Sequence, residues 1–109
     1  MIKGIITPTI TVFDQDKKID FGANREHIEN LITGGVNGIL FLGSIGEFFA
    51  MTLAEKKELI SFAVKTVDKR VPVLVGTGGT AAEDVIELSN FAKKEGVDGE
   101  AVITDYFFQ

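Results

Sequence analysis

The sequence contains no cysteine and no tryptophan, only two prolines, and a single histidine, His27. Without cysteine there is no disulfide framework and no thiolate chemistry, a usage that suits a cytoplasmic protein. No apolar run approaches the ~18 residues of a membrane helix; Gly43, Ser44, Gly46 and Glu47 interrupt the longest candidate. The opening Met1-Ile2-Lys3-Gly4 lacks the charged-then-apolar layout of a secretion signal, and a turn at Thr7-Pro8 comes almost at once. Basic residues cluster no further than a Lys-Lys pair and the net charge is −5, which argues against a nucleic-acid partner. Carboxylates at a glycosidase spacing and clustered metal ligands are both missing, so no metal or cofactor is expected. His27 lies in a polar stretch with no second ligand or acid nearby, and reads as a surface or interface residue.

What is present is an ordinary globular composition, 45% hydrophobic and 25% charged, on a chain of 109 residues. That length predicts one domain, residues 1–109, with a modest core. Apolar periodicity divides it into alternating short strands and longer helices. The first strand is predicted from Gly4 to Thr7, closed by Pro8, with Thr9 to Phe13 extended beyond it and a turn at residues 14–18. A helix starts at Asp20, whose carboxylate can cap it, and runs to the Gly34-Gly35 stop. Gly38 to Gly43 is the second strand, apolar without alternation, as in a strand covered on both faces. Thr52-Leu53-Ala54-Glu55 is a capping box opening the next helix. Val71 to Gly76 is the third strand, and Thr80-Ala81-Ala82-Glu83 repeats the box. A fourth strand covers Ala101 to Thr104.

A faint repeat joins these units. Gly35-Val36-Asn37-Gly38 leads into the second strand and Gly96-Val97-Asp98-Gly99 into the fourth, each a helix stop and then a tight turn. Strands alternating with helices predict an α/β fold with parallel pairing and right-handed crossovers. Pattern alone leaves the strand order open between a flavodoxin-like sheet and half of a (β/α)8 barrel.

In either fold, chemistry sits at the C-terminal ends of the strands. Three segments fall there. Thr7-Pro8-Thr9 comes after the first strand. Gly43-Ser44-Ile45-Gly46-Glu47 comes after the second, and its glycines allow the Ser44 and Ile45 amides to face an anion. Ser44 adds a hydroxyl able to relay a proton, although a glycine-rich turn bearing a surface serine fits the same residues. Glu47 fits loop ordering through backbone hydrogen bonds better than acid–base work. Gly76-Thr77-Gly78-Gly79-Thr80 comes after the third strand; it reads as a phosphate cradle or, more simply, a strand-to-helix turn.

Together these segments resemble the N-terminal portion of the dihydrodipicolinate synthase/N-acetylneuraminate lyase family. Gly4 to Pro8 is similar to that family's first strand, and Gly43-Ser44-Ile45-Gly46-Glu47 to its Gly-[Ser/Thr]-x-Gly-Glu signature. Met51 to Glu55, Val71 to Gly78, and Asp98-Gly99 with Thr104 to Phe107 extend the likeness over essentially the whole chain. Gly76 to Thr80 with Phe48-Phe49 resembles the members that cleave 2-keto-3-deoxy sugar acids. The resemblance implies half of a (β/α)8 barrel from a lyase that holds pyruvate, or a similar keto acid, as an imine on a lysine. It implies Ser44 as the catalytic relay hydroxyl, and the Ser44 and Ile45 amides as the carboxylate site. Thr7 and Pro8 would shape its floor, and Tyr106 and Phe107 would meet a neighbouring subunit of a homo-oligomer.

The departures carry their own expectations. Ile45 stands where many members have threonine, Phe107 where a tyrosine is usual, and Asp105 where proline is usual. Glu100 puts a charge where the internal repeat has Ile39. A full barrel takes ~250 residues, and the family's imine-forming lysine and second relay tyrosine fall beyond Gln109. No turnover is therefore expected from this chain alone. Half a barrel leaves edges and an apolar face open, which self-pairing into a full barrel or rearrangement to a flavodoxin-like sheet would cover. Glu100 and Asp105 fit a chain engineered to charge such exposed surface, or drift in a truncated homologue. A structural half-barrel module and a small-anion binder are the alternative functions.

Overall fold

The computed structural model describes residues 4–42, 51–77 and 82–101. Along them run β1 (Ile6–Pro8), α1 (Phe21–Thr33), β2 (Gly38–Phe41), α2 (Leu53–Val67), β3 (Val73–Gly76), α3 (Ala82–Glu95) and β4 (Gly99–Ala101). The strands pair in parallel in the order β1-β2-β3-β4, with Thr7 beside Ile39, Ile39 beside Val73 and Leu74 beside Gly99. A flavodoxin-like sheet would insert β1 between β2 and β3. That rearrangement is excluded, because each strand here neighbours the next one in the chain.

Right-handed crossovers that always step in one direction put every helix on one face of the sheet. Ile39, Phe41, Val73 and Val75 are buried on that face with Leu59, Ile60, Ala63, Val67, Leu88 and Ala92. Leu40 and Leu74, alternating with them, are only half-buried. The apolar run of β2 predicts a strand covered on both faces; among the described residues Leu40 is less buried than Ile39 and Phe41, so the alternation reappears as a difference in burial. β1 ends on Pro8 itself, one residue beyond the predicted strand, and begins at Ile6 rather than Gly4. Thr9 N–H donates to the Leu40 carbonyl at 3.0 Å. The neighbouring Pro8 nitrogen therefore points to the open edge, where a missing N–H costs no ladder bond.

The helix ends match the predicted chemistry. Asp20 Oδ1 accepts from Ala23 N–H at 2.9 Å. Thr52 Oγ1 accepts from Glu55 N–H at 3.1 Å while Glu55 accepts from Thr52 N–H at 2.9 Å, a complete capping box. Phe21 packs on Phe62 with ring centroids 5.0 Å apart, joining α1 to α2. Arg70, just beyond the end of α2, donates to both oxygens of Glu29 on α1 at 2.8 and 2.6 Å. Its hydrogen bonds hold the Glu29 carboxyl below the usual range. A lowered carboxyl pKa gives stability that is complete above the unfolded value and lost as pH falls through the folded one, so this exposed pair is a small contribution at neutral pH that is lost in acid.

The sequence repeat is a repeated clamp. Gly35 and Gly96 stand at φ +92 and +90. The next N–H in each case donates back into its helix, Val36 to Leu31 and Val97 to Ala92, both at 3.3 Å. Asn37 then exchanges hydrogen bonds with Ile5, its N–H donating at 3.0 Å and its Oδ1 accepting at 2.9 Å. Asp98 does the same to Val73, at 2.7 and 2.8 Å. Each clamp ties a helix exit to the start of the preceding strand. An added Cβ meets nothing within 4 Å at either glycine, so alanine there costs only backbone strain. Gly35→Ala and Gly96→Ala should each lose about 1 kcal/mol, adding in the double variant because they share no partner; urea titration reads both.

Glu100 is not a charge placed on open surface. It pairs in register with Val75, is half-buried, and its carboxylate accepts a hydrogen bond from Ser89 of α3. That contact removes half of the case for engineered surface charging. Asp105 lies outside the described residues.

Candidate active site

Because all pairings are parallel, β1, β2 and β3 deliver their C-terminal ends to one end of the sheet, where the ends of Ile6–Pro8, Gly38–Phe41 and Val73–Gly76 meet. Thr7 is half-buried and Pro8 exposed at that end. The chain then passes inward, with Thr9 and Thr11 buried and the Thr9 hydroxyl donating to the Ile10 carbonyl at 3.2 Å. Thr7 and Pro8 are thus brought to the end where β2 delivers the chain towards the glycine signature. Ser44, Ile45, Tyr106 and Phe107 lie outside the described residues, as do Glu47 and the capping residue Thr80.

Two features at this end escape sequence reasoning. Leu42, the last described residue after β2, has φ +59 and is wholly buried. The other non-glycine residues with positive φ among the described residues, Lys17, Asp68 and Lys69, are all exposed. A bulky side chain in this region costs roughly 1–2 kcal/mol, and such strain gathers where function fixes the backbone. Nothing in Leu-Gly-Ser marks it beforehand. The second residue is Thr77, directly after β3, wholly buried and with its hydroxyl hydrogen-bonded to no group among the described residues. A lone hydroxyl closing the apolar Val73-Leu74-Val75-Gly76 is a faint signal that sequence could have offered.

The anion reading of Gly76 to Thr80 is weakened by the start of α3. Glu83 and Asp84 occupy the first turn of that helix, so negative charge already sits at its dipole. Burial lowers the pKa of Lys56, and the Asp84 carboxylate opposes the shift. Lys56 lies on α2 within reach of Asp84 of α3, in the helix layer. Lys57 pairs with Glu87 and rests over the Phe91 ring, 5.6 Å from its centroid. His27 is half-buried on α1. Among the described residues no group of three His, Asp or Glu could hold a metal ion, and no helix is long and apolar enough to cross a membrane.

A groove of about 540 Å³ opens at the opposite end, lined by Val64, Arg70, Pro72, Glu95 and Asp98 among others. Its Arg70, Glu95 and Asp98 are already engaged with Glu29, Ser61 and the Val73 amide. They hold the clamp side together.

Sequential parallel strands, helices on one face and a strained, polar C-terminal end define the chain as half of a (β/α)8 barrel. The chain belongs to the dihydrodipicolinate synthetase family, whose model matches residues 1–109. A 2-dehydro-3-deoxy-D-gluconate aldolase candidate of Escherichia coli K12, YagE, is 45% identical over all of this chain and 36% of its own length. A 4-hydroxy-tetrahydrodipicolinate synthase of Bartonella tribocorum is 40% identical over 98% of this chain and 36% of its own. The crystal structure of YagE in complex with pyruvate superimposes with a TM-score of 0.91 at 47% identity, covering 94% of this chain and 35% of that one. Dihydrodipicolinate synthase from Aquifex aeolicus gives 0.90 at 35% identity, over 95% and 36%. The chain spans about a third of the length of these relatives and corresponds to their N-terminal part.

Proposed function

We propose that this chain supplies the carboxylate-holding portion of a Schiff-base lyase acting on pyruvate or a related 2-keto acid. The observation that carries the reading is the gathering of Thr7, Pro8, the strained Leu42 and the buried Thr77 at one end of a sequential parallel sheet. Leu42 leads directly into Gly43-Ser44-Ile45-Gly46-Glu47. A relative solved with pyruvate supports the keto-acid class. The aldolase relative, together with Phe48-Phe49, favours the 2-keto-3-deoxy sugar acid branch.

In this reading the Ser44 and Ile45 amides bind the carboxylate, Thr7 and Pro8 form the floor, and the Ser44 hydroxyl moves a proton at the keto oxygen. The amine nucleophile belongs to the part of the lyase that this chain does not span. Tyr106 and Phe107 meet a second subunit of a cytoplasmic homo-oligomer. The chain alone binds the keto acid without turning it over.

Pyruvate should therefore raise the melting temperature of the chain, since a ligand bound only by the folded state stabilises it by mass action. Ile45→Thr should tighten pyruvate binding about tenfold, by adding one hydrogen bond to a charged acceptor. Inorganic phosphate matching pyruvate in both variants would replace the keto-acid reading with a general anion site.

A further inference from the structure

We propose that Asn37-Gly38 is a site of covalent self-modification, where the Gly38 nitrogen closes on the Asn37 side chain and converts it to aspartate or isoaspartate. Asparagine comes directly before glycine at this position alone; Asn24, Asn30 and Asn90 precede Arg25, Leu31 and Phe91, whose side chains crowd the attacking nitrogen. Asn37 is exposed, so water reaches it, whereas Gly38 is buried as the first residue of β2. In the reaction the Gly38 nitrogen gives up its proton and bonds to Asn37 Cγ, and the side-chain nitrogen leaves as ammonia. Water then opens the five-membered imide. Cleavage at Cγ yields aspartate; cleavage at the main-chain carbonyl yields isoaspartate, with one extra carbon in the backbone.

The fold primes one reactant and withholds the other. Ile5 N–H donates to Asn37 Oδ1 at 2.9 Å, drawing electron density from Cγ and supporting the charge that this oxygen gains on attack. Ile39 N–H donates to the Pro72 carbonyl at 3.0 Å. Strand alternation therefore turns the Gly38 N–H towards β1, where Gly38 pairs with Ile6. The nitrogen comes free only when the start of that ladder opens, and among the described strands β1 is held by β2 alone. The internal repeat shows what each product would do. Asp98 is the counterpart of Asn37, and its carboxylate accepts from Val73 N–H at 2.8 Å. Aspartate at position 37 therefore keeps the clamp, while the extra carbon of isoaspartate displaces Gly38 from its place beside Ile6. Gly38 is itself fixed by packing, because an added Cβ would lie 2.6 Å from Ile6 Cδ1. The labile pair is thus tied to the β1–β2 contact, and its conversion marks chains in which that contact has opened.

The test incubates the folded chain in mildly alkaline buffer and follows Asn37 by peptide mass spectrometry, with the urea-unfolded chain as comparison. Conversion should accumulate at Asn37 in the folded chain while Asn24, Asn30 and Asn90 stay intact. Unfolding should speed it at least about tenfold, because an ordered ladder no longer withholds the nitrogen. Asn37→Asp should melt with the unsubstituted chain, and aged chains rich in isoaspartate, recognised by enzymatic methylation, should melt below it. Conversion confined to urea would overturn the proposal, since the folded chain would then be inert. Equal rates in the two states would overturn the gating by β1. An Asn37→Asp chain that melts well below the parent would overturn the equivalence with Asp98.

Discussion

Fused to the remaining part of a family relative, the chain should trap pyruvate as a borohydride-stable adduct, whereas the chain alone should trap none. Imine formation needs a neutral amine to attack the keto carbon, with water leaving as the C=N bond forms; borohydride then reduces that bond to a stable secondary amine. At neutral pH an exposed lysine is almost wholly protonated, so the amine must sit in a desolvated or cationic pocket. Burial lowers the pKa of Lys56, but the nearby Asp84 carboxylate works against it. That residue belongs to the helix layer, away from the strand ends where Thr7 and Leu42 lie. In the fusion, peptide mapping should place the label in the added part. Label on Lys56 of the isolated chain would overturn this division of labour. Ser44→Ala in the fusion should lower turnover by about 10²–10⁴-fold, the usual worth of a positioned proton donor.

The division between what sequence could and could not predict tracks the range of the interactions involved. Asp20 and the Thr52–Glu55 box act within one turn, so residue type and spacing suffice to locate the starts of α1 and α2. The Gly-Val-Asx-Gly repeat is equally local up to its glycine. Its second half is not: Asn37 reaches Ile5 and Asp98 reaches Val73, 32 and 25 residues away. Strand order is longer-ranged still, since right-handed crossovers serve either architecture until the direction of the second step is known. Pro8 marks a strand end by propensity, and β1 does end on it, its edge position sparing the ladder a missing N–H. Glu100 reads as a misplaced surface charge until Ser89 of α3 is seen beside it. The parallel strand ends, and the place of Thr7 and Pro8 at them, were legible. Leu42 was not, because a backbone angle leaves no trace in residue type, and Thr77 offered only the faint signal of a lone hydroxyl after an apolar run.

Asn24→Ala should unfold the chain about 2 kcal/mol more easily, lowering its melting temperature by roughly 8–16 °C. Asn24 is buried in α1. Its Oδ1 accepts from Val12 N–H at 3.0 Å, and its Nδ2 donates to the Val12 and Asp20 carbonyls at 2.9 and 2.7 Å. The side chain thereby acts as a short strand for residue 12, just before the Phe13–Ile19 bridge closes the loop. Alanine leaves the Val12 carbonyl with Asp20 N–H at 2.9 Å, but the Val12 N–H loses its hydrogen bond to Oδ1. The cost therefore falls near the middle of the range for one orphaned buried donor. Since this segment leaves directly from Thr7 and Pro8, faster hydrogen exchange at Val12 should accompany weaker pyruvate binding. Asn24→Asp adds a pH dependence of known sign. Its carboxylate can still accept from Val12 N–H, yet it faces two carbonyl oxygens, which together with burial raise its folded pKa above the unfolded value. The ionised form is then penalised only in the folded chain, so Asn24→Asp should regain stability as pH falls through that raised pKa, while Asn24→Ala should show no such recovery. Equal losses for the two variants at every pH would mean that Asn24 fills space and pins nothing.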